Sequence, residues 1–239
     1  MKLKEIFTAK RVLFILLFLG LVLIGKKINF SPIIGTDNQF FTLYQFFGPI
    51  AGGFLGPVFG IVSVFGAELA NFFIAGKTFT AINLLRLTPM LFAAYYFGTR
   101  KKTIGLVVPI LAMIAFVLNP IGREAWLYAM YWWIPVVVVI LPKKYSSNLF
   151  LKSLGATFTA HAIGSVAWVW SVPMGADQWL ALIPVVAYER LLFAVGITGS
   201  YVIMNTVLDV IVDKWNVSEE ILNIDKRYLV LKRLFAKNG

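Results

Sequence analysis

Long apolar runs, broken by short clusters of glycine, proline and charge, divide the chain, and polar and apolar residues never alternate for long. The runs cover 12–30, 40–54, 56–75, 79–98, 103–120, 125–141, 149–171 and 180–211. Several approach the roughly 20 residues that an α-helix needs to cross hydrocarbon, where backbone amides must be bonded within their own segment. A transmembrane barrel would show segments of about ten residues alternating in polarity, and none is present. The pattern predicts an all-α integral membrane protein, a polytopic helical bundle of about six to eight transmembrane helices. The stretch 40–75 reads in two ways, as two short spans broken near Gly56-Pro57 or as one long kinked helix.

Composition agrees with lipid as the solvent. Apolar residues make up 59% and charged residues 14% of the 239 positions, against about 45–50% and about 25% in soluble domains. Cysteine is absent, which removes disulfides, thiolate catalysis, iron–sulfur clusters and cysteine-bound zinc. The net charge of +11 does not point to nucleic acid, because the basic residues sit at the ends of apolar runs. There they act as topology signals and contacts to membrane lipid headgroups.

With the N-terminus inside and eight passes, Arg100-Lys101-Lys102, Lys143-Lys144 and the basic tail fall on the cytoplasmic side. Asp37, Lys77, Arg123-Glu124 and Asp177 fall outside, and Lys26-Lys27 alone run against the rule and are expected to snorkel. Both termini are therefore expected in the cytoplasm of a multi-pass protein of the cell membrane. The basic leader before the first run is followed by no small-residue cleavage site, so it reads as a retained helix. Two parts result: a bundle over 1–215, and a basic amphipathic tail over 216–239 that opens on Ser218, Glu219 and Glu220.

Gly48, Gly52, Gly56 and Gly60 recur every four residues, and Gly48-Pro49 is echoed by Gly56-Pro57. Glycines at that spacing allow close helix packing. Alternatively, the prolines and glycines break the helix and expose backbone groups to a cavity. The stretch Gly56-Pro57-Val58-Phe59-Gly60, continuing through Gly66-Ala67-Glu68-Leu69-Ala70-Asn71-Phe72, resembles the core signature of the substrate-capture (S) components of energy-coupling-factor transporters. The resemblance covers roughly 40–98, as a divergent member with Glu68 where the family usually carries aspartate. It implies capture of a small vitamin-like or metabolite solute from the outer face. Transport would then be energised by separate ATPase subunits acting through a transmembrane coupling subunit.

Ionisable residues inside apolar helices cost about 2.5–3.5 kcal/mol each on insertion scales, and so mark functional sites. Five occur in the predicted spans: Glu68, Arg86, His161, Glu189 and Arg190. Counting along the helices places them about 10–15 Å below the outer boundary, which predicts an outward-facing polar pocket. Asn71 shares a helix face with Glu68, and Asn83 shares one with Arg86. Pro89 is expected to leave the Leu85 carbonyl free beside Arg86. A Glu68–Arg86 ion pair that only joins two helices is the plainer reading. Glu189 and Arg190 are neighbours whose side chains leave the helix about 100° apart, so they are expected not to serve one another, and at least one needs another partner.

Trp126, Trp168, Trp170 and Trp179 fall near the outer boundary, either as an interfacial belt or, with Trp168 and Trp170 foremost, as a lid that stacks on a planar ligand. No zinc-protease, aspartate-pair or serine–lysine pattern and no phosphate-cradling loop is present. The expectation is a binding subunit with no catalytic role, no metal and no cofactor. Two alternatives stay open: an intramembrane enzyme using His161 and Glu189, and a structural subunit of a membrane complex.

Overall fold

In the computed structural model, residues 9–34, 40–99, 101–215 and 222–229 are described. Their backbone is predominantly helical, with one small two-stranded sheet. The helices are α1 (Ala9–Gly25), α2 (Ile50–Ile74), α3 (Ala81–Leu85), α4 (Thr88–Gly98), α5 (Lys102–Leu118), α6 (Pro120–Glu124), α7 (Trp126–Ala129), α8 (Trp133–Ile140), α9 (Lys143–Ser146), α10 (Leu149–Val169), α11 (Ala176–Ala181) and α12 (Ile183–Trp215). Two helices, Ile50–Ile74 and Ile183–Val212, are long and apolar enough to cross a membrane by length and composition. Large apolar side chains stand exposed along α1, α5, α8 and α12, among them Leu17, Leu118, Ile140 and Ile203. Asp37, Arg100 and most of the predicted tail lie outside the described residues.

The chain departs from the predicted spans where apolar runs meet polar punctuation. The run 12–30 does not continue as one helix: after Lys26-Lys27 it becomes strand β1 (Asn29–Pro32), which pairs antiparallel with β2 (Phe40–Thr42). Pro32 cannot enter a helix interior, and Phe40, Phe41 and Thr42 favour extended backbone. The run 79–98 divides into α3 and α4, because Pro89 belongs in the first turn of a helix. The run 125–141 is three short helical pieces, with a 3-10 turn at Met130–Trp132.

The glycine ladder has two jobs. Gly56 adopts φ 77, ψ 170 within α2, breaking it ahead of Pro57. That conformation is open to glycine and closed to residues with a Cβ. Either side of the break the ladder packs against itself and against α4. A methyl on Gly60 would strike the Gly52 backbone, one on Gly52 would strike the Ala94 carbonyl, and one on Gly98 would strike Gly52. The carbonyl of Phe54, just before the break, accepts the backbone N–H of Asn223 at 2.7 Å. It therefore faces the C-terminal segment rather than a cavity.

Helix α10 is the central post, packed against α4, α5, α8 and α12. Two apolar clusters form around it. One joins α1, α2, α4 and α12 through Phe18, Phe54, Phe97 and Ile197. The other joins α5, α7, α10 and α11 through Phe116, Tyr128, Phe158 and Trp179. The space bordered by both clusters, at the end of the molecule carrying the β1–β2 hairpin, holds the site.

Candidate functional site

A cavity of about 260 Å³ lies there, and its lining includes Glu68, Asn71, Asn83, Arg86, His161, Trp168, Glu189 and Arg190. These residues come from α2, α3 and its C-terminal end, α10 and α12. Trp170 is not among the lining residues: it is exposed, and its indole N–H donates to the Ala115 carbonyl at 3.0 Å. The turn that ends α10 carries it to the outside of the bundle while Trp168 faces inward.

The polar groups are partnered differently from the expected scheme. Glu68 does not pair with Arg86; its carboxylate takes the Lys26 ammonium at 2.7 Å. That ammonium also sits 4.9 Å from the centre of the Tyr44 ring. Lys26 ends up here because α1 stops one residue before it and the chain turns into the hairpin. Its place against the charge rule was the signal that it had a partner. Arg86 instead lies over the face of Trp168, 4.6 Å from the ring centre. Among the described residues it donates a long hydrogen bond to Asn83 Oδ1, at 3.4 Å, and its buried Nε has no partner. The Leu85 carbonyl is not left free by Pro89, because the Thr88 hydroxyl donates to it at 2.7 Å.

Glu189 and Arg190 do meet each other, with Nη2 and Oε2 3.2 Å apart. Their side chains diverge at the backbone, but the guanidinium arm is long enough to swing back. Both also hold the hairpin. Ser31 on β1 donates a short hydrogen bond to Glu189, and Arg190 packs over Phe41 of β2 and over Phe193 at 4.7 and 4.6 Å. Phe30 and Phe46 pack on the same Phe193 ring. No periodicity marked Ser31, since its role depends on a strand fold that the apolar run disguised.

His161 is engaged at both nitrogens. The Trp132 indole, which can only donate, gives its proton to Nδ1 at 3.1 Å. Nδ1 is therefore an acceptor, and the neutral ring carries its proton on Nε2, where Tyr128 Oη lies 2.7 Å away. Tyr128 in turn reaches Ser165 Oγ at 3.4 Å. This chain stiffens the cavity wall.

The lining holds groups that the sequence did not single out for the site, Lys26, Lys77, Gln45 and Tyr128, together with Trp179, one of the four tryptophans weighed as a lid. Lys77 follows α2 in the connection to α3, and the ammonium is pulled below its usual range by burial and then by the nearby Lys26 charge. Trp179 is fully buried, and its indole N–H has no partner among the described residues. Phe72, Met90, Leu182 and Val186 complete an apolar wall.

Comparison with known proteins adds a distant relative. The chain is 25% identical over 177 residues to an uncharacterized protein of the archaeon Methanocaldococcus jannaschii, a match covering 68% of this chain and 59% of that protein. The chain thus spans about three fifths of the relative's length. No family model matches, and no solved structure matches.

Proposed function

We propose that this chain is a multi-pass membrane protein that captures a small solute in a pocket opening on the outer face, as the substrate-binding subunit of a transporter. The observation that carries this reading is the convergence of polar side chains from four helical elements on one cavity in an otherwise apolar bundle. Ionisable groups are costly in such a bundle and persist where they serve a ligand or a pathway. The exposed apolar side chains of α1, α5, α8 and α12 would face lipid.

The resemblance of 56–72 to the substrate-capture components of energy-coupling-factor transporters supplies the partners: a transmembrane coupling subunit and ATPase subunits. Glu68, the acidic residue of that signature, lines the cavity. In this reading the protein binds and releases, and leaves its solute chemically unchanged.

Purification of the tagged chain from its native membrane in mild detergent tests the proposal. Co-purification of an ATPase and a coupling subunit, together with a retained small molecule, is the expected result. Uptake should be lost when Arg86 is replaced by alanine at unchanged expression. Unchanged uptake would remove the cavity from the mechanism.

A further inference from the structure

Four cations line the cavity among the described residues (Lys26, Lys77, Arg86 and Arg190), against two carboxylates, Glu68 and Glu189. The carboxylates are already taken, Glu68 by Lys26 and Glu189 by Arg190. Lys77 and Arg86 have no carboxylate partner among the described residues. Arg86 is partly shielded from water, where a cation without a counter-ion is unfavourable, and Lys77, exposed on the same lining, adds a second charge of the same sign. Arg86 is stacked on Trp168 with an unbonded buried Nε, so its guanidinium is held in place while hydrogen-bonding capacity stays unspent. Asn71, on the same lining, adds a neutral donor.

Much of the remaining lining is apolar and aromatic: Phe72, Met90, Leu182, Val186 and Trp179. A cavity of about 260 Å³ sits below the roughly 300–1,000 Å³ of sites for drug-sized ligands. We propose that the ligand is a small organic anion, with its carboxylate or phosphate oxygens between Lys77 and Arg86 and a compact apolar body against the Phe72–Met90–Trp179 side. Inorganic ions are disfavoured because they would leave the apolar wall unfilled. Amines are disfavoured because they would add a positive charge beside Lys77 and Arg86, the two cations that no carboxylate on the lining offsets. This assignment rests on the capture reading above and narrows it to one class of solute.

The test uses the purified full chain in detergent, followed by thermal stabilisation. The probes are a panel of small aliphatic and aromatic carboxylates and phosphomonoesters at up to millimolar concentration. Each is paired with its neutral amide or alcohol and with the amine of the same skeleton, and inorganic phosphate stands alone. Stabilisation confined to organic anions is expected, and the stronger arm separates carboxylate from phosphate. Lys77→Gln and Arg86→Gln should each weaken the best anion roughly ten- to a hundredfold, the loss of one charge-assisted contact. Lys102→Gln, on the exposed start of α5, should leave it unchanged. Stabilisation by neutral or amine members, or by inorganic phosphate as strongly as by any organic anion, overturns the assignment while leaving a solute-capturing pocket. Anion binding that persists in the Lys77→Gln/Arg86→Gln double variant overturns the anion subsite. Stabilisation by no member of any class overturns both this inference and the capture reading.

Discussion

At the scale of single residues, the Lys26–Glu68 pair is shielded enough from water for its two halves to depend on each other, with side chains 16% and 9% exposed. Removing one partner of a buried pair strands the other charge, at about 3–5 kcal/mol, whereas replacing both with apolar or neutral groups is often far less damaging. Lys26→Met and Glu68→Gln should therefore each lower the unfolding midpoint in detergent, and the double variant should recover most of the loss. Additive losses would show that the two are not coupled. His161 offers a cleaner reading, since it is the chain's one histidine. Its imidazole nitrogen shifts, measured by NMR, should report a neutral ring with its proton on Nε2. Trp132→Phe should cost about 1–3 kcal/mol by leaving Nδ1 unbonded in a buried wall. A ring protonated on Nδ1 would contradict the Trp132 contact.

At the scale of elements, the break in α2 sets the geometry of the bundle. Ideal helical spacing puts residues four apart on one side of a rod, so a packing stripe was one of the ladder's two readings, the other being a broken helix. The positive φ of Gly56 interrupts that rod, and Gly52 comes to rest against Gly60 and α4. Three glycine replacements separate the effects. Gly52→Ala should destabilise by about 1–3 kcal/mol, because the methyl meets backbone rather than a yielding side chain. Gly56→Ala, which has space but the wrong dihedral, should cost about 1–3 kcal/mol through strain alone. Gly20→Ala has no neighbour within 4 Å and should be neutral or slightly stabilising, as expected inside a helix. Thermal unfolding of the three variants gives the ranking, and a harmless Gly52→Ala would remove the close crossing.

For the whole molecule, the end away from the hairpin is closed by residues 222–229. The Asn205 side chain donates to the Asp225 carbonyl at 2.9 Å and accepts its N–H at 2.8 Å, while Asn223 caps the Phe54 carbonyl. Arg227 holds the Asp225 carboxyl below the usual carboxylate range, chiefly by donating hydrogen bonds to it. A depressed acid contributes stability that is present above its unfolded value, about 3.9, and disappears as the pH falls through the folded one. The wild type should thus exceed Asp225→Asn in stability at pH 7 and lose that lead toward pH 3. The gap should stay under about 1 kcal/mol, because Arg227 is largely exposed to water. Thermal scans across that range check it, and a gap that widens in acid would reverse the sign. At the same scale, if lipid covers the exposed apolar faces, the protein should stay with the membrane pellet after an alkaline carbonate wash. Release into the supernatant would overturn the multi-pass reading.

The order of apolar runs, the helical character of the chain, the break at Gly56-Pro57 and the residues expected on a common polar layer were legible from the sequence. They follow from local spacing and from the cost of charge in apolar surroundings. Which charge answers which was not legible. Lys26 rather than Arg86 reaches Glu68, Arg190 turns back to Glu189, and Ser31 arrives from a strand concealed in an apolar run. Those matches depend on side-chain reach and on where distant segments cross. The excess of positive charge in the cavity therefore emerged only in three dimensions, because a charge left without a counter-ion is a property of the assembled neighbourhood and not of any one residue.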